Sequence, residues 1–255
     1  MNEGEKFLQA AKNGILFPHS QDKESFHFLN ESTLIKYERP DFILMGENRI
    51  IGVEHFEFDS SRSTRKGSLY RREDVRLDKE LNDEIDYEMK KKKDELYFGR
   101  SGSLKITNST EFYLNNLKKH FLSHFDKIDD YIARVKSITQ HEDKEIRTAF
   151  FIEDTTPLGL RIYAPNNTGH QITRLFEIQE FREMLLLINA QEKLDYLFFI
   201  HSESRYLDCV EVNSLLSDTC SVSSYPLCEQ RVINTEGPKV FNFKAIIPDN
   251  KDEGG

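Results

Sequence analysis

Residues 39–59 read RPDFILMGENRIIGVEHFEFD, and this stretch decides the fold that we predict for the chain. Two apolar runs, Phe42–Met45 and Arg49–Val53, lie on either side of the polar segment Gly46–Asn48. Short apolar runs around a glycine-containing turn are typical of a β-hairpin, which we predict at about 42–58. Asp41 and Glu54 would lie on its two strands, so the hairpin is expected to bring two carboxylates together.

The second predicted strand has two chemically different faces. Side chains alternate along a strand, so Glu54, Phe56 and Phe58 share one face, and His55, Glu57 and Asp59 share the other. Paired carboxylates are the ligands of hard divalent cations, and zinc would instead favour His or Cys. The sequence alone also allows a purely structural role, with Asp41 as a turn residue beside Pro40 and Glu54 as an exposed edge-strand acid.

The rest of the chain predicts an α/β (α+β) fold, because buried strands alternate with amphipathic helices. We predict one domain over residues 1–247, with a largely helical insertion at about 62–146 and a disordered tail at 248–255. The predicted elements, in chain order, are helices in 1–38, 77–98 and 110–138, a strand at 148–152, a helix at 174–192, and strands at 196–200, 207–212 and 240–243.

Composition narrows the class of protein. Hydrophobic residues make up 38% of the chain and 19 residues are Phe, which favours a packed core over disorder. We find neither a signal peptide nor an apolar run long enough to span a membrane, and we expect a cytoplasmic location. Cys209, Cys220 and Cys228 form no CxxC pair, so reduced thiols are expected.

One stretch is locally basic although the net charge is −9. Residues 62–76 hold six basic side chains against two acidic ones. The overall charge argues against a protein coated for non-specific nucleic-acid binding, but it allows a local basic groove. The residues that we expect to contact phosphates are Arg62, Arg65, Lys66, Arg71 and Arg72.

The segment 38–58 resembles the PD-(D/E)XK nuclease superfamily: Asp41 matches its first acid and Glu54 its second. The resemblance implies a restriction-endonuclease-like mixed sheet flanked by helices, with Mg²⁺ (or Mn²⁺) bound by Asp41 and Glu54. It also implies metal-dependent hydrolysis of DNA, in defence or DNA processing, and a homodimer or a protein partner bound through the helical insertion. A carboxylate-bound Mg²⁺ suits this reaction because it polarises the phosphate and generates hydroxide near neutral pH.

The chain departs from the superfamily at Phe56, where the pattern has a lysine. Lys66 in the basic segment is the candidate replacement, and His55 is a second one if a bulge re-aims it. The predicted catalytic set is therefore Asp41, Glu54, His55 and Lys66. If no cation replaces the lysine, the chain is a non-catalytic nucleic-acid-binding or protein-assembly module on the same fold. An RNA-cleaving enzyme would use the same residues.

Other polar groups suggest weaker alternatives. His120 and His124 have the four-residue spacing of zinc proteases, but Phe121 lies where that motif needs glutamate, so a helix-surface pair is expected. His201 follows a predicted strand, and we read it as a turn residue or as a group near the metal. Glu153–Asp154 ends another strand and is a candidate further acid of the cluster. Phosphate-loop, dinucleotide-binding and serine-hydrolase motifs are absent.

Overall fold

A computed structural model describes most of the chain, which divides into two compact units. The first unit contains residues 1–60 and 113–229, and the second contains 61–112 and 230–255. The described residues are 6, 8–10, 13, 17–18, 23–65, 67–91, 95–138, 144–156, 162–163, 171–172, 174–201, 206–217, 222–226 and 233–246. The predicted tail at 248–255 and Lys66 therefore lie outside them.

The first unit is built on a mixed sheet. Its strands are β1 (Phe17–Pro18), β2 (Thr33–Lys36), β3 (Phe42–Met45), β4 (Arg49–Phe58), β8 (Glu145–Asp154), β11 (Tyr196–His201) and β12 (Tyr206–Glu211). They lie in the order β1-β12-β11-β8-β4-β3-β2. Strands β2, β3 and β4 form an antiparallel meander, whereas β4, β8 and β11 run parallel. The predicted hairpin and the three later strands of this sheet are confirmed.

Helices cover this sheet, as the α/β prediction requires. They are α1 (Lys23–Glu31), α3 (Thr110–Phe125), α4 (Ile128–Ile138), the 3₁₀ turn Leu175–Glu177, α5 (Gln179–Ile188) and α6 (Val212–Leu216). A small antiparallel pair, β9 (Ile162–Tyr163) and β10 (Gln171–Ile172), completes the described elements of the unit.

Two apolar clusters lie on opposite faces of the sheet. One contains Phe56, Phe58 and Phe150 with side chains from α3, α4 and α5, and Phe121 is fully buried in it. The other contains Phe42, Val53 and Phe151, and Leu29 of α1 packs on it. This division follows the alternation predicted for β4, because odd and even residues of a strand face opposite ways.

The second unit combines hairpins with one long helix. Its elements are β5 (Ser63–Thr64), β6 (Gly67–Ser68), α2 (Leu69–Lys91), β7 (Glu95–Asn108) and β13 (Ile233–Ile246). Strands β7 and β13 pair antiparallel along their whole length. The sequence predicted a helix at 77–98 and a short strand at 240–243 here. Helix α2 confirms the first as far as Lys91 and β13 contains the second, but the helical prediction for 95–98 is wrong and β7 was not predicted. The segments GRSGS at 99–103 and EGP at 236–238 contain glycine or proline, residues depleted in strands, so they carry no strand signal.

Candidate functional site

Antiparallel pairing places Asp41 beside Glu54. Phe42 of β3 pairs with Val53 of β4, so the next position outward sets Asp41 opposite Glu54. The Asp41 carboxylate accepts a hydrogen bond at Oδ2 from the backbone N–H of His55, at 2.9 Å. Asp41 is therefore held against β4 by its side chain, and its second oxygen is left for another partner.

The two oxygens of Glu54 have different surroundings. Oε1 accepts a hydrogen bond from the Tyr131 hydroxyl at 2.8 Å and is 2.9 Å from His124 Nδ1. Oε2 is buried and has no hydrogen-bond partner among the described residues. Only 10% of the side chain is exposed. A buried carboxylate oxygen without a donor is costly unless a cation or an ordered water binds it.

The burial and the charges of Asp41 and Glu54 also favour a bound cation. Burial raises the pKa of Asp41, the His55 N–H opposes that shift, and the charge of Glu54 adds to it. Burial, followed by the bond to Glu54, raises the pKa of Tyr131 far above its ordinary value, so its hydroxyl stays a donor. Two neighbouring carboxylates in a half-buried setting repel each other, and a divalent cation would relieve that repulsion. The donor set is all oxygen, which fits Mg²⁺ or Mn²⁺.

Phe56 occupies the position at which the superfamily has a lysine, and its side chain is part of the hydrophobic core. Its ring is 4% exposed and makes edge contacts with Phe121 and Phe150. The His124 ring stacks on it, with centroids 4.8 Å apart and planes 13° from parallel. An imidazole from α3 thus lies over the side chain that replaces the lysine.

A second polar group lies on the opposite face of β4. His55 Nε2 is 3.1 Å from Glu153 Oε2, and both side chains are more than nine-tenths buried. One potential ligand atom of each of His55, Glu57 and Glu153 lies within 4.8 Å of the others. Alternation separates this group from Glu54, so His55 does not join the Asp41–Glu54 pair through its side chain. His55 contacts Asp41 through its backbone N–H, and its predicted catalytic role stays a prediction. Glu153, predicted as a further acid, instead pairs with His55.

The structure also gives the positions of the predicted phosphate-binding arginines, of His201 and of Asp154. Arg62, Arg65, Arg71 and Arg72 are exposed residues of the second unit. Arg72 donates a long hydrogen bond to Thr64, at 3.4 Å. His201 is half-buried and lies opposite Asp154 in the pairing of β11 with β8. Asp154 accepts hydrogen bonds from the Tyr113 hydroxyl and from the backbone N–H of Thr156, which gives it a structural role at the end of β8.

Sequence reasoning missed His124 and Tyr131. Their contacts with Glu54 span 70 and 77 residues. The His120–His124 spacing was the only signal, and the expectation of a helix-surface pair is wrong for His124, which is largely buried against Phe56. Tyr131 carried no signal beyond its place on an amphipathic helix.

The comparisons with known proteins provide no assignment. No family model, curated protein or solved structure matches the chain. Among the described residues, no helix is both long enough and apolar enough to cross a membrane.

Proposed function

We propose that this chain is a divalent-metal-dependent nuclease of the PD-(D/E)XK type, with Asp41 and Glu54 as its metal-binding carboxylates. The observation that carries the proposal is the buried Oε2 of Glu54, which lies beside Asp41 and has no hydrogen-bond partner in the part of the chain that the structure describes. The order of elements agrees with the resemblance: a helix, an antiparallel meander bearing both acids, further helices, and a parallel strand beside β4.

In this proposal the metal is Mg²⁺ or Mn²⁺, which supplies Lewis acidity and a hydroxide near neutral pH when bound. Asp41 and Glu54 hold it, and the His55 N–H fixes the orientation of Asp41. The buried face around Phe56 limits the water that surrounds Glu54 and so strengthens its electrostatic interactions. Arg62, Arg65, Arg71 and Arg72, together with Lys66, are the proposed phosphate contacts, and DNA is the proposed substrate.

A second candidate is a non-catalytic nucleic-acid-binding or protein-assembly module. Phe56 favours it, because a buried phenylalanine replaces the cation that the superfamily pattern has near the attacking water. This candidate predicts binding without bond cleavage, whether or not a metal is bound.

Cleavage of plasmid DNA, single-stranded DNA and RNA with Mg²⁺ or Mn²⁺ tests both candidates. Wild type is compared with Asp41→Asn and Glu54→Gln, which remove charge with little change of shape. Asp129→Asn is the matched control, since this exposed acid binds Lys193 away from the pair. Cleavage by wild type and the control alone supports the nuclease, and the preferred substrate defines its class. Equal cleavage by all four proteins refutes the assignment. A wild type that shifts these nucleic acids in a native gel but cleaves none of them favours the second candidate.

A further inference from the structure

Within the described residues, hydrogen bonds hold Glu54 at one of its two carboxylate oxygens. Oε1 has two partners, the Tyr131 hydroxyl and His124 Nδ1, whereas Oε2 has none among the described residues. Turning the carboxylate about its Cγ–Cδ bond would carry Oε1 away from both donors, so the two hydrogen bonds favour one orientation of the carboxylate plane.

His124 is itself held in place. Its ring stacks on Phe56, which packs in the core against Phe121 and Phe150. A hydrogen bond from Nδ1 to Glu54 requires the proton on Nδ1, which fixes the tautomer of the neutral ring. Phe56 therefore acts as a platform for the imidazole.

Tyr131 approaches from a different helix. It is a buried residue of α4, 4% exposed, and its hydroxyl has Glu54 Oε1 as its acceptor. The two donors thus come from α3 and α4 and meet at a single oxygen. Such convergence orients a carboxylate far more firmly than one donor does.

We infer that His124 and Tyr131 are positioning residues that hold Glu54 Oε1 so that Oε2 is presented to a divalent cation. This inference rests on the proposed metal site of Asp41 and Glu54. Hydrogen-bonded partners of metal-binding carboxylates typically contribute about 10–100-fold to metal affinity. Neither residue touches the metal in this arrangement, so their effect passes through Glu54.

Mn²⁺ binding to the full chain, measured by the electron paramagnetic resonance signal of free Mn²⁺, tests the inference. The variants carry Glu153→Gln, so that ions bound at the opposite face of β4 do not count. Tyr131→Phe and His124→Leu should each weaken binding about 10–100-fold. His124→Asn keeps an N–H donor near the place of Nδ1, and it should restore most of the loss. Tyr113→Phe is the matched control, because it removes a buried tyrosine hydroxyl from another carboxylate, that of Asp154.

The outcomes separate the inference from the proposed function. Binding that is lost in Asp41→Asn but unchanged in Tyr131→Phe and His124→Leu overturns the positioning role and leaves the metal site intact. Equal weakening by Tyr113→Phe also overturns it, since the effect would then be a general loss of core order. No Mn²⁺ binding by the Glu153→Gln parent overturns the proposed metal site, and the inference with it. Circular dichroism melting checks that each variant folds, and Tyr131→Phe, which loses a single oxygen atom, is the variant least disturbing to the core.

Discussion

Replacing Asp41 by Asn should stabilise the metal-free protein at neutral pH. Asn keeps an oxygen that accepts the His55 N–H, so the bond to β4 survives. It removes the charge that burial disfavours and that Glu54 repels. A carboxylate whose role is purely structural would behave in the opposite way, because replacing it by Asn would lower the stability of the protein.

Burial is the largest cause of the raised pKa of Asp41, and the nearby charge of Glu54 adds to it. The strand pairing gives the scale of that repulsion. Side chains opposite each other in an antiparallel pair are about 5 Å apart, and two charges at that distance repel by about 3 kcal/mol at an effective dielectric constant of about 20. Asp41 is only partly buried, so solvent screening lowers the expected gain to about 1–2 kcal/mol. For a chain of this size that corresponds to a rise of about 2–8 °C in Tm.

The gain in stability from Asp41→Asn should depend on pH. The pKa of Asp41 is raised above its ordinary value of 3.8 in the folded state. Its charged form therefore destabilises the fold at pH values above the folded pKa. The advantage of Asn is complete there. It shrinks as the pH falls through the folded pKa, and it disappears below the ordinary value, where the wild-type carboxyl is protonated in both states.

Thermal melting in EDTA, followed by circular dichroism between pH 4.5 and 8, measures this effect. Asp195→Asn is the control, because Asp195 also accepts a backbone N–H but faces the guanidinium of Arg147, and its loss should lower Tm. With Mn²⁺ at a hundred times its Kd, wild type should gain about 2.7 kcal/mol and become the more stable protein. If Asp41→Asn lowers Tm at every pH, as Asp195→Asn does, Asp41 is a structural residue and the reasoning fails.

Three further substitutions test the packing of the first unit, and urea unfolding measures the free energy of unfolding of each variant. Phe121→Ala should cost about 3–5 kcal/mol, because its fully buried ring contacts several other aromatic rings; a loss below about 1 kcal/mol would contradict this packing. Gly52→Ala should cost about 1–3 kcal/mol, since the new Cβ would lie 2.8 Å from Val135 Cγ2; unchanged stability would mean that α4 can shift away from the sheet. Arg182→Lys should cost about 1–3 kcal/mol, because its guanidinium donates to the Phe176 carbonyl and to two others; a neutral result would show that these carbonyls find water instead.

The local pattern of residues 39–59 was sufficient to predict the hairpin and the faces of β4. Alternation and turn chemistry act between near neighbours, so they can be read without knowledge of the rest of the chain. The buried strands β8 and β11 could also be predicted from local sequence, because each contains a short continuous apolar run. Prediction from local sequence fails for β7 and for most of β13, because glycines interrupt the apolar pattern at 99–103 and a Gly-Pro pair interrupts it at 237–238, and both residue types are depleted in strands.

The sequence by itself determined that two carboxylates would lie near each other at the start of β3 and in the middle of β4. Only the tertiary structure decided how they are held. His124 and Tyr131 reach Glu54 across 70 and 77 residues, and that contact depends on how α3 and α4 pack on the sheet. Packing also decided that Phe56 is a core ring beneath an imidazole. Hydrogen bonds and ring contacts of this kind join residues by position in space, and spacing along the chain carries no information about them.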